Sequence, residues 1–151
     1  SPIVVLKKEL LSIPILGQFM KRAGCIAVDR AAGMRALNKL KEEALLAKQE
    51  GRSILIFPQG TRVDPSDDAT PYQIGVFSLY QTLSIPVIPV ALNSGYYWLN
   101  KRITKKPGII DVIFLPPIKT GLPRKVFMTK LKRDIEDKCA ELENKRIQNG
   151  W

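Results

Sequence analysis

Histidine is absent from this 151-residue chain. No mechanism that draws an imidazole base or a histidine metal ligand from these residues is open to it. Cysteine is scarce: Cys25 and Cys139 are the only two, too few for a disulfide framework and in keeping with reduced, cytosolic-type thiols. Aromatic residues make up 7%, and Phe57, Phe77 and Phe114 fall in apolar runs without interleaved basic residues. That pattern argues against a stacking platform for nucleic acid. Acids are outnumbered, 14 against 24 lysines and arginines, for a net charge of +10. The surplus suits an anionic partner, and with nucleic acid set aside a membrane surface or a phosphorylated substrate remains. Unbroken apolar spans are missing as well. Residues 69–100 carry no charge, but Pro86 and Pro89 interrupt them and Gln73, Ser78, Gln81, Thr82 and Ser84 are scattered through. A transmembrane span is therefore rejected in favour of a buried helix, about Gly75 to Leu83, and a buried strand, Val87 to Leu92.

What is present is ordinary globular material, 45% apolar and 25% charged, in a length that suits one domain. The chain opens on Ser1-Pro2-Ile3-Val4-Val5-Leu6, with no methionine and no signal peptide. This reading expects it to begin inside a domain. Ile3 to Leu6 reads as a short buried strand. Leu10 to Met20 is apolar on nearly every side and interrupted by Pro14 and Gly17, which fits a kinked core helix or a surface that meets lipid. It is too short to cross a bilayer, and the core reading is adopted. Cys25 to Val28 reads as a second strand, and Ala32 to Gln49 as a helix with Leu37, Leu40, Ala44 and Ala47 on one stripe. Ser53 to Phe57 is a continuous apolar run, as in a strand covered on both faces. Pro58 to Thr70 is a loop, Lys101 to Lys106 a basic loop, Ile109 to Leu115 a strand, and Lys125 to Gln148 a final helix. That helix repeats Phe127, Leu131, Ile135, Cys139 and Leu142. Strands alternating with helices predict an α/β fold.

Chemistry concentrates at two strand ends. The run Ile54-Leu55-Ile56 leads straight into Phe57-Pro58-Gln59-Gly60-Thr61-Arg62. Glycine there lets backbone approach a ligand, and a guanidinium fork matches phosphate oxygens. Arg30 holds the matching place after the Cys25–Val28 strand. In a parallel sheet the strand C-termini share one edge, so Arg30 and Arg62 are expected to converge on one anion. Tyr96-Tyr97-Trp98, just before Lys101, Arg102, Lys105 and Lys106, is open to two readings. It is a headgroup-facing loop, or a solvated loop whose aromatics pack on the core.

Three segments in order, Gly24-Cys25-Ile26-Ala27-Val28-Asp29-Arg30, then Phe57 to Arg62, then Ile85-Pro86-Val87-Ile88-Pro89-Val90-Ala91-Leu92, resemble the second, third and fourth blocks of the glycerolipid acyltransferases. The 1-acyl-glycerol-3-phosphate acyltransferases are the class they resemble most. Leu6-Lys7-Lys8-Glu9-Leu10 also resembles the basic stretch before that family's second block. The resemblance implies one layered α/β domain over 1–151, with a largely parallel or mixed central sheet flanked by helices. It implies transfer of a fatty acyl group from acyl-CoA or acyl-carrier protein to lysophosphatidate, or alternatively to another lyso-lipid acceptor, with no metal or redox cofactor, at the cytoplasmic side of an anionic membrane. The residues it marks for substrate binding are Arg30, Gln59, Gly60, Thr61 and Arg62, with Lys7 as a third cation; Pro86 and Pro89 set backbone. Two departures stand out. The family's first block, His-x-x-x-x-Asp, which supplies the general base, has no counterpart here and is expected upstream of Ser1. Its third block usually carries glutamate where this chain has Gln59, which keeps an acceptor oxygen but excludes a role as base.

Overall fold

The computed structural model of the chain describes residues 2–61, 63, 70–98 and 105–148. They fall into two compact units, Ser1–Gly60 with Gln73–Ser84, and Thr61–Tyr72 with Ile85–Trp151. The first is built on a three-stranded parallel sheet: β1 (Ile3–Lys7) lies between β2 (Ile26–Val28) and β3 (Ile54–Leu55). The register pairs Lys7 with Val28 on one side and Val4 with Leu55 on the other. Parallel pairing demands crossover connections, and helices supply them. A turn of 3-10 helix (Lys8–Ser12) and α1 (Leu16–Arg22) lead from β1 to β2, while α2 (Met34–Gln49) leads from β2 to β3. The predicted apolar stripe of α2 is the buried one: Leu40, Ala44 and Ala47 are in the core. α2 packs against α3 (Ile74–Leu83), which buries Val76, Leu79, Tyr80 and Leu83. Alanine at 44 and 47 keeps that face low. Lys48 ties the two helices together, its ammonium donating to the last α3 carbonyl, Leu83, at 2.6 Å, where cations suit a helix end.

Two expectations are corrected in this unit. Leu10 to Met20 is not a core helix. Pro14 stops the 3-10 turn, and Gly17 lets α1 lie directly on the Leu11 carbonyl, a place any Cβ would overlap. Gly17 is thus the buried residue of α1, and Ile13, Ile15, Leu16 and Phe19 are left exposed. The Ser53–Phe57 run is not a strand covered on both faces. Its paired part is only Ile54–Leu55, at the edge beside β1, and Leu55 and Phe57 are exposed. The turn after Phe57 begins before a longer ladder can form.

The second unit is a two-stranded antiparallel sheet with a long helix. β4 (Val90–Leu92) pairs with β5 (Val112–Phe114), opposing Ala91 to Ile113, and α5 (Arg124–Gln148) packs on β4. Period-two alternation turns Ala91 fully inward and leaves Leu92, Val112 and Phe114 exposed on the other face. A bridge between Val87 and Ile118 extends the pairing outward. Phe127, Leu131 and Leu142 of α5 are buried as their spacing predicts, along with Ile118 and Pro89. Asn93 is the buried polar residue here, and both ends of its amide are satisfied. Its Oδ1 accepts from the Asp111 amide at 2.9 Å, and its Nδ2 donates to the Ile109 carbonyl at 3.3 Å. A short helix that the sequence reading did not anticipate, α4 (Ser94–Tyr97), follows. Tyr97 is buried and the Tyr96 hydroxyl donates to Glu143 Oε2 at 2.6 Å. Those two aromatics therefore pack on their own unit, and Trp98 alone of the three is exposed, with the Lys105 ammonium over its ring. Lys101 and Arg102 lie outside the described residues. Among the described residues no helix is long and apolar enough to cross a membrane.

Candidate functional site

Because the three strands of the first unit run parallel, Lys7, Val28 and Leu55 close their strands toward the same edge. Past that edge the chain turns sharply twice. After β2, Asp29 caps a 3-10 turn, Arg30–Ala32, its Oδ1 accepting from the Ala31 amide at 3.1 Å. Its other oxygen, Oδ2, meets the Lys8 ammonium at 3.2 Å. The Lys8 hydrogen bond, and after it the Ala31 amide, hold the Asp29 carboxyl below its ordinary range. Asp29 is thereby ionised at neutral pH and fixed between β1 and β2. This pair is a positioning feature that sequence reasoning missed, although both residues stand in the segments singled out. The signal available was an aspartate two residues before the turn's second amide; the Lys8 partner depends on strand register.

After β3, Phe57 to Gly60 forms a tight turn in which the Gly60 amide donates to the Phe57 carbonyl at 2.9 Å. Pro58 suits the second position of such a turn, and Gly60 takes φ +66 at its end. The turn is anchored outward by the Gln73 amide, which donates to the Pro58 carbonyl at 2.8 Å. Here the two sequence segments meet. The Arg30 guanidinium donates to the Gly60 carbonyl, although 30 positions separate them. A Cβ at Gly60 would overlap that guanidinium and push it aside, while the φ of +66 is what calls for glycine here.

The structure thus brings together Arg30 and Gly60 and seats Gln59, half-buried, within the same turn. Thr61 is exposed immediately after it, and Arg62 lies outside the described residues. Lys7 ends β1 at this edge and is exposed, but makes no hydrogen bond or ion pair with Arg30 or the turn. Arg30 spends one N–H on Gly60 and its remaining donors meet no described residue. A guanidinium held at one corner, with donors that meet no described residue, is equipped to take an oxyanion. In the second unit, Pro89 is fully buried and its carbonyl accepts from the Leu115 amide, whereas Pro86 is exposed. Cys25 and Cys139 are both free, and burial pushes the Cys139 thiol up, which keeps it protonated and unreactive. Among the described residues no group of acids and cysteines could hold a metal ion.

Comparison with known proteins places this arrangement. The sequence profile of the Acyltransferase family matches residues 1–93, which hold the whole parallel sheet and both turns. The 1-acyl-sn-glycerol-3-phosphate acyltransferase of Pseudomonas aeruginosa is 36% identical over 112 residues, 74% of this chain and 43% of that protein. The Escherichia coli protein of the same name is 30% identical over 145 residues, 93% of this chain and 58% of its own. The chain thus spans about half the length of the curated relatives it matches. In fold it is similar to the crystal structure of the 1-acyl-sn-glycerophosphate acyltransferase from Thermotoga maritima, with a TM-score of 0.72 over 94% of this chain and 57% of that one, at 20% identity. The family match over residues 1–93 and the likeness of fold, a parallel sheet flanked by helices, agree: the chain belongs to the Acyltransferase family.

Proposed function

We propose that this chain is the acceptor-binding part of a lysophosphatidate acyltransferase, working where phospholipid is made at the cytoplasmic face of an anionic membrane. The junction of Arg30 with Gly60 is the observation that carries this reading, supported by the names of the relatives. The free corner of Arg30 takes the acceptor's phosphate, with Arg62 and Lys7 as the further cations that the resemblance marks for it. Gln59, Gly60 and Thr61 shape the turn on which the glycerol lies. A hydroxyl of the acceptor then attacks the thioester carbonyl of acyl-CoA or acyl-carrier protein. The new C–O ester forms, the C–S bond breaks, and the hydroxyl proton passes to a base, which returns it to the departing sulfur so that it leaves as thiol. These 151 residues include no histidine to serve as that base, and Gln59 cannot accept the proton. In the family this chain resembles, a histidine of the first block does so. What these residues contribute is orientation, which is worth several orders of magnitude when it holds reacting atoms near contact.

The missing histidine also motivates a second reading, an anionic-lipid-binding module without turnover. One assay separates them. The whole protein, with any sequence preceding Ser1, is given lysophosphatidate and labelled acyl-CoA beside the 151-residue chain alone. Labelled phosphatidate from the whole protein and none from the chain alone is expected. Turnover by the chain alone contradicts the assignment of the base, and binding without turnover by the whole protein establishes the module instead.

A further inference from the structure

Between Glu9 and Asp29 the sequence contains no acid, and Lys21 and Arg22 are its only charges. This is the stretch that sequence reading placed in the core and that the structure turns outward. Ile15 and Phe19 are 81% and 75% exposed, with Ile13 and Leu16 at 43% and 42% beside them. Ile15 carries a second burden. The Leu16 amide donates back to the Pro14 carbonyl at 2.7 Å, closing a three-residue turn in which Ile15 sits at φ 66, ψ −58. Turns with positive φ of this kind are rare and strained, and a β-branched residue is the worst suited to them. The strain holds an apolar side chain out in water.

The rest of the segment is arranged around that tip. Gly17 faces inward on Leu11, so Ile15, Leu16 and Phe19 lie together on the side of α1 away from it, while Lys21 and Arg22 close the helix, exposed. An apolar tip with a cationic collar and no acid matches one kind of surface. Apolar side chains enter the acyl boundary of a bilayer while ammonium and guanidinium groups meet lipid phosphates. A second copy of the chain presents the same cations to this face and is repelled by it. We propose that residues 13–22 form the surface by which the protein docks on a bilayer containing anionic phospholipid. The proposal rests on the functional reading above only in that the acceptor resides in such a bilayer.

The test measures partition of the whole protein onto phosphatidylglycerol–phosphatidylcholine vesicles and onto phosphatidylcholine alone. The variant Ile15→Gly with Phe19→Gln removes both exposed side chains and frees the turn, since glycine takes positive φ without strain. Partition on both vesicle types is expected to fall on the order of tenfold or more. Lys21→Gln with Arg22→Gln should weaken binding to the anionic vesicles alone, and added salt should abolish the difference. Acylation of a short-chain, water-soluble lysophosphatidate should be unchanged in all variants, which also reports an intact fold. Unchanged partition in both variants overturns the proposal and leaves the acyltransfer reading standing. Loss of a dimer in sedimentation with unchanged vesicle binding overturns it in favour of a second copy. Should the unaltered protein fail to acylate the soluble acceptor, the functional reading falls, and vesicle partition still decides the docking surface.

Discussion

At the residue scale, the decisive contact is between Arg30 and the backbone of Gly60. A glycine ends the turn after β3 because the position needs positive φ, and a methyl group there would displace the Arg30 guanidinium. Gly60→Ala should therefore do two separable things. Forcing a non-glycine residue to φ +66 is expected to destabilise the fold by about 1–2 kcal/mol, read as a lowered denaturant midpoint. Displacing Arg30 should raise the apparent KM for lysophosphatidate in the whole protein while leaving that for the acyl donor in place. Equal effects on both substrates would mean that the turn shapes the site as a whole and that Arg30 has no special link to the acceptor. The presence of Arg30 at the edge was legible, because an arginine directly after an apolar strand run has few other places to be. Its bond to Gly60 was not. It is made to a carbonyl, which sequence does not mark, across 30 positions. The pair between Lys8 and Asp29 was hidden for a similar reason, since only the register that sets Lys7 against Val28 brings it about.

At the element scale, periodicity served where one face of an element is buried and failed where none is. α2 and α5 present stripes of period near 3.6, and their buried residues are those the stripes mark. Apolar runs without a period carry no such information. Leu10 to Met20 and Ile54 to Phe57 look alike whether enclosed or exposed, and both proved to be at the surface. For α1 the deciding residue is Gly17, whose missing side chain chooses which face lies inward. For β3 it is the early turn. α5 carries one fully enclosed side chain, Phe127, which has no exposure at all. Phe127→Ala should lower stability by about 3–5 kcal/mol, because removal of a buried aromatic leaves a cavity that its surroundings fill only in part. Thermal or denaturant unfolding checks this value. A loss below about 1 kcal/mol would mean that the second unit relaxes around the gap and that α5 is not its structural anchor.

At the scale of the whole molecule, a surplus of ten positive charges is put to use at more than one place. Part of it stands at the sheet edge with Lys7, Lys8 and Arg30, and part follows the apolar tip of α1 as Lys21 and Arg22. Family membership rests on residues 1–93, which hold both of these places, so the proposed acceptor site and the proposed docking surface both belong to one sheet and its first crossover. The proposed role of Arg30 is to take the acceptor's phosphate. Its most direct test compares two acceptors, lysophosphatidate and the matching monoacylglycerol, in the whole protein and in its Arg30→Gln variant, with acyl-CoA saturating. A charge-assisted hydrogen bond is worth about 1.5–3 kcal/mol. The variant should therefore lose on the order of ten- to a hundredfold in kcat/KM for lysophosphatidate and change little toward the acceptor without phosphate. An equal loss on both acceptors, or no loss on either, would contradict the account.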